Sequence, residues 1–229
     1  MVTSLKVIAD VFAEPSQAFR ALKAETRWFL AFVVVSLIFM GAAWFIIPYM
    51  QELSFDRMAA SGMAEAQLEQ ARTMGEKFAF VGLIFVPIQV LLKALVFGAI
   101  LYFTCRLLGA EGLEFKLAWA TIIHAELILV LAGIINAGLL PVFRDIGDVQ
   151  QVSDLTLLPG IHYLFGATEN VVLSVFLSQI NISAIWYVPV LGIGVAVIAG
   201  FSKAKAGMVA GSIWLLSIVA QSALMALQG

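Results

Sequence analysis

The chain has 229 residues, 62% of them hydrophobic and only 12% charged, with a mean hydropathy of +1.01 and a formal net charge of −2. A soluble domain carries about 25% charge, so this composition excludes an ordinary water-soluble core and calls for a bilayer as solvent. Net charge gives no nucleic-acid footprint; a single cysteine, Cys105, excludes an intrachain disulfide, and with two histidines it is too little for a closed structural zinc site.

Residues 1–27 are polar enough to stay out of the bilayer. Val7, Ile8, Val11 and Phe12 recur at helical spacing, and Ala18, Phe19 and Leu22 follow Pro15. Lys6, Arg20, Lys23 and Arg27 fall on or beside the other face. This predicts a cytoplasmic amphipathic leader, broken at Glu14-Pro15 and lying on the headgroups, ahead of a membrane domain over 28–229. A simple solvated leader is the alternative.

Residues 28–49, from Trp28 to Tyr49, form the first predicted span. They are aromatic at both edges and uncharged inside, long enough for about 30 Å of hydrocarbon. Such a stretch is too long and too late for a signal-peptide core. Residues 51–77 are polar again, and a run of strong helix formers from Met63 to Arg72 predicts a separate solvated helix with Ser61 as its N-cap.

The second span is predicted over 80–105, with a kink at Pro87, and the third over 117–140, stopping at Pro141. Cys105 reads as a small apolar filler. Residues 144–183 are mixed. Glu169 and Asn170 would sit in the middle of any span drawn over 161–181, so that stretch reads as interfacial or re-entrant. Spans four and five are predicted over 184–201 and 207–227. Gly192, Ala196 and Gly200 are four apart, as are Gly207 and Gly211; such spacing lets helix backbones approach, within this bundle rather than in a dimer seam.

With five spans, Lys6, Arg20, Lys23, Arg27, Arg106, Lys116, Lys203 and Lys205 fall on one side, and Arg57, Arg72, Lys77 and Arg144 on the other. Eight bases against four predict a cytoplasmic N-terminus and an outside C-terminus.

Ionisable groups at membrane depth are costly and need a reason. Lys93 lies about 16 Å from the inner end of span two, and Glu126 about 14 Å from the start of span three. In an antiparallel hairpin those depths match. Gln89, Lys93 and Thr104 fall within a stripe of about 60° on span two. Facing Glu126, this stripe would pair it with Lys93, either fixing the hairpin's register or doing work. His124 points about 200° away from Glu126 and lines up with Thr121 and Asn136. It reads as a satisfied interior histidine, with a proton relay as the alternative. There is no His-Glu-x-x-His, no Gly-x-Ser-x-Gly and no P-loop, and His162 falls in the outer loop.

Four stretches in this order resemble the Yip1-domain family of five-span membrane proteins. They are Phe12 to Arg20 with Pro15 and Phe19; Leu107 to Ala110 with Gly109, followed by Phe115 and Lys116; Asn181 to Trp186, followed by Leu191 to Gly194 with Gly192; and Gly200 to Ala206 with Lys203. The resemblance implies an all-α membrane bundle of five transmembrane helices that serves as a scaffold or adaptor, not an enzyme, with no cofactor. Eukaryotic relatives act in vesicle trafficking and bind Rab GTPases, chiefly through a long cytoplasmic N-terminal region. Here only about 27 residues precede the first span, so Rab binding is not carried over. The chain looks like bacterial members, and a bacterial inner membrane is the expected location.

The leading expectation is therefore a non-enzymatic scaffold that organises protein partners or lipid, with a membrane or cytoplasmic protein partner and homo-oligomerisation left open. The alternative is a small transporter or proton-coupled permease component, using Gln89, Lys93, Thr104, Thr121, His124, Glu126 and Asn136 as a polar path. An intramembrane enzyme is a distant third.

Overall fold

The computed structural model describes residues 3–150, 152–158, 160–161 and 171–226, and among these the chain is helical, with no strand. The predicted positions His162, Glu169, Asn170 and Leu227 lie outside the described residues.

Pro15 divides the N-terminal segment into α1 (Ser4–Ala13) and α2 (Pro15–Ala24). The Thr3 hydroxyl accepts from the Lys6 backbone N–H and caps α1, and Pro15 opens α2, where its missing N–H costs nothing. Val7, Val11, Ala18, Phe19 and Leu22 are buried in the main core. The apolar face of this segment packs against protein, in the core of the bundle. The Lys23 ammonium donates to the Val197 carbonyl at 3.0 Å, Phe19 packs on Gly194, and the Phe12 ring stands edge-on to Trp186 at 5.9 Å. The segment thus runs alongside a later helix. Gly194 explains why: a Cβ there would lie 3.0 Å from both Phe19 Cζ and Thr121 Cγ2, so only glycine leaves the slot that the ring fills.

α3 (Phe29–Ala60) and α4 (Glu65–Leu107) have 32 and 43 residues. At 1.5 Å per residue they are about 48 and 65 Å long, against about 30 Å of hydrocarbon. Here the structure differs from the expectation of a first span followed by a separate helix capped by Ser61. Ser61 instead closes α3, its hydroxyl donating to the Met58 carbonyl at 2.7 Å, and Gly62 turns the chain at φ 84°. The helix formers from Glu65 onward then run into the apolar stretch with no Pro before Pro87, and α4 continues through Gly75 and Pro87 as one helix. The excess lengths form an antiparallel arm. Arg72 joins Glu52 through two hydrogen bonds of 3.2 Å and stacks its guanidinium 4.8 Å from the Phe55 ring centroid, while Gly75 leaves room for that ring.

Leu108 and Gly109, the latter at φ 99°, end α4, and α5 (Phe115–Phe143) turns back, passing through Pro141 to end two residues later. It is the central helix: every residue from Ala120 to Ile128 is buried. Gly98 of α4 crosses α5 so closely that a Cβ would lie 2.9 Å from Trp119 Cα. Two 3-10 turns, Ile146–Asp148 and Val152–Leu155, and the eight-residue α6 (Val171–Ser178) follow. The described length of α6 is about 12 Å. The Asn181 side chain accepts from the Ser183 and Ala184 N–H groups and starts α7 (Ile182–Ala199). α8 (Lys203–Ala226) begins four residues before the predicted span.

Gly192 does meet Gly207, its would-be Cβ lying 3.5 Å from Gly207 Cα, and Ala196 is half-buried against the core. Gly200 belongs to no packing stripe: it is the left-handed residue that ends α7 at φ 70°. A methyl group at Gly211 would meet nothing within 4 Å among the described residues, so no close helix approach depends on that position. Among the described residues, five helices, α3, α4, α5, α7 and α8, are long and apolar enough to cross a membrane. α3 and α4 pack on one side of α5 and α7 on another, with α8 against α7 and touching α4. The α4–α5 and α7–α8 turns share one end of the bundle, and the arm leaves from the other.

Candidate functional site

Lys93 projects from α4 and Glu126 from α5, and Nζ stands 2.9 Å from Oε2. The carboxylate side chain is 5% exposed and the lysine side chain 37%. The asymmetry follows from the helices that carry them. α5 is enclosed around Glu126, where every residue from Ala120 to Ile128 is buried, whereas α4 turns a long face outward, with Leu92 and Val96 exposed beside Lys93.

The pair lies in a cleft of about 290 Å³. Phe39 of α3 and Phe97 of α4 form one wall, and Tyr187 of α7 with Trp214, Ser217 and Gln221 of α8 form the other. Glu126, Gly133 and Asn136 make the floor along α5. Toward the arm end the lining becomes polar, with Thr156, Gln179 and Asn181.

Of the seven residues read as a polar path, only Lys93, Glu126 and Asn136 line the cleft. Gln89 is exposed on the outer face of α4, and Thr104 lies half-buried near that helix's other end. The Thr121 hydroxyl donates to the Leu117 carbonyl at 2.8 Å and His124 Nδ1 to the Ala120 carbonyl at 2.8 Å. Both side chains are buried and spend their donors on their own helix. Asn136 latches the connection after the second 3-10 turn, donating to the Leu155 carbonyl and accepting from the Leu157 N–H, each at 2.7 Å. A continuous polar line through these seven is not assembled.

Tyr187, Ser183, Ser217 and Gln221 join the site without having been singled out. Each helix carries a visible signal: Ser183 and Tyr187 are four apart on α7, and Ser217 and Gln221 four apart on α8, so each pair shares a face. Tyr187 is 5% exposed and lines the cleft.

The family-like residues stand at the joints of the fold. Pro15 and Phe19 place α2 against α7, where Trp186 meets Phe12. Gly109 makes the α4–α5 turn, Phe115 starts α5 and stands edge-on to Tyr102 at 5.9 Å, and Lys116 is exposed beside it. Lys203 is the first, exposed residue of α8. These features define an all-α integral membrane protein built on a bundle of five long apolar helices. The chain belongs to the Yip1 domain family, whose model matches residues 9–224. The match begins within α1, so it takes in most of the N-terminal segment that packs along α7. No curated protein and no solved structure matched the chain.

Proposed function

We propose that this Yip1-type membrane protein is a non-enzymatic scaffold whose rigid arm presents a docking surface to a protein partner. The observation that carries the reading is the length of α3 and α4. Both outrun the bilayer, and the Arg72 contacts to Glu52 and Phe55 hold their excess as one unit. The lysines and arginines at the turn end support a cytoplasmic N-terminus and an outside C-terminus, which puts the arm outside, in a membrane of the bacterial inner type.

A photo-crosslinking amino acid at Met63 or Met74, both exposed on the arm, tests this in living cells. The expected result is one recurring protein adduct from both positions. Adducts to lipid or to a second copy alone, at both positions, overturn the scaffold reading.

The cleft at Lys93 and Glu126 favours a second reading, a small proton-coupled transporter. It has less support, because Gln89 lies outside the cleft and Thr121 and His124 are bonded into their own helix. Proteoliposomes at high protein density are expected to show no pH-driven flux above that of the Lys93→Met/Glu126→Leu variant; flux lost in that variant would reverse the ranking.

A further inference from the structure

α4 and α8 are tied at the turn end, where the Lys205 ammonium donates to the Leu108 carbonyl at 2.6 Å. Counted back along these antiparallel helices, Gln221 lies at roughly the level of Lys93. The cleft is lined from both helices, and at its lips stand exposed apolar residues: Val96 on α4 and Val219 on α8, next in sequence to the lining residues Phe97 and Ile218.

Inside, hydrogen-bonding capacity is left over. Lys93 has three N–H donors and gives one to Glu126 Oε2. Among the described residues, Glu126 Oε1 and the Tyr187 hydroxyl have no hydrogen-bond partner. Polar groups at membrane depth are strongly penalised unless something satisfies them. The unused atoms are complementary in sign. An anion alone would meet the Glu126 carboxylate, and a cation alone the Lys93 ammonium. A group carrying both an anionic oxygen and an N–H-bearing cation satisfies each.

We infer that the cleft binds the headgroup of an aminophospholipid. Its phosphate oxygens accept from Lys93 and Tyr187, its primary ammonium donates to Glu126 Oε1, and its acyl chains remain in the bilayer beyond the lips. A trimethylammonium headgroup has no N–H for Glu126, so phosphatidylcholine is the matched control. This inference does not rest on the scaffold reading.

The test is native mass spectrometry of the full chain in mild detergent, with equal amounts of phosphatidylethanolamine and phosphatidylcholine of identical acyl chains. The expected retention favours phosphatidylethanolamine by about fivefold, the worth of one well-made polar contact. Lys93→Met/Glu126→Leu is expected to bring the two lipids to parity. Tyr187→Phe, which keeps the ring and its packing, removes a phosphate contact common to both lipids and is expected to lower the retention of each about threefold while leaving their ratio unchanged. Equal retention by the unaltered chain overturns the inference, as does a preference that survives in the double variant. Soluble glycerophosphoethanolamine is the third arm: failure to displace the lipid at equal concentration supports a bilayer ligand, and full displacement assigns the site to a free zwitterion and overturns the lipid assignment.

Discussion

The two halves of α5 treat their polar groups oppositely. Toward the turn end, Thr121 and His124 return their donors to carbonyls one turn back, and the helix is sealed by Phe19, Gly194 and the Gly98–Trp119 crossing. Toward the arm end, Glu126 reaches to another helix for its partner and Asn136 to a loop, and the walls stand apart around a cleft. Position on the same helix does not decide which happens. What differs is how closely neighbours approach the glycines: the Trp119 backbone closes on Gly98 and the Phe19 ring fills the slot at Gly194, whereas beside Gly133 nothing comes nearer than a Phe39 ring carbon.

The comparison is broken most severely at the ion pair. Lys93→Met alone strands a carboxylate that is 5% exposed and is expected to cost about 3–5 kcal/mol in a reversible unfolding titration in mixed micelles. Glu126→Leu alone should cost less, because the 37% exposed lysine side chain can extend toward a polar boundary. The double variant should recover most of the loss; additive losses would show that the two do not interact.

Glycine gives a sharper contrast at smaller cost. Gly98→Ala puts a methyl 2.9 Å from the Trp119 backbone, which cannot yield, and should cost about 1–3 kcal/mol. Gly133→Ala meets nothing nearer than a Phe39 ring carbon at 3.8 Å and should be near neutral in the same titration. Equal effects would contradict the contrast between a closed and an open half.

Outside the bundle, Arg72→Ala should cost about 0.5–1 kcal/mol, since its partly exposed pair with Glu52 is screened, but should broaden the distance distribution between spin labels on α3 and α4 of the arm. The smallest effect belongs to Glu25, fully exposed before α3, where a hydrogen bond from Arg27 holds the carboxyl below its ordinary value. The stabilisation is present above the ordinary carboxylate range and is lost as pH falls through the lowered value. Glu25→Gln should therefore differ from the parent at neutral pH and converge with it on acidification, read as the pH dependence of unfolding.

Much of the fold is legible because hydropathy acts locally: uncharged runs such as 28–49 must be buried in lipid wherever they occur. Equal depth in an antiparallel hairpin is a one-dimensional argument, so it applies to Lys93 and Glu126 without knowledge of the other helices. The arm is not legible in that way. Ser61 looks like an N-cap because it precedes helix formers, but a hydroxyl can equally bond back to Met58, and the choice depends on Gly62 turning the chain three residues before Glu65. The fate of residues 1–27 depends on a slot at Gly194, on a helix made far later in the chain, which no periodicity near the N-terminus reveals. Tyr187 and Gln221 enter the cleft for a similar reason, through the relative rotation of α7 and α8.

That docking of α2 on α7 also has a consequence for synthesis. Lys23 bonds to the carbonyl of Val197, 174 residues later. At about 5–20 residues per second, roughly 10 to 35 s separate the appearance of the first from that of the second. Throughout that interval the amphipathic segment has been made but its groove has not. It is among the first segments translated and among the last to find its place, so its docking marks the moment at which the fourth span has arrived and the bundle can close.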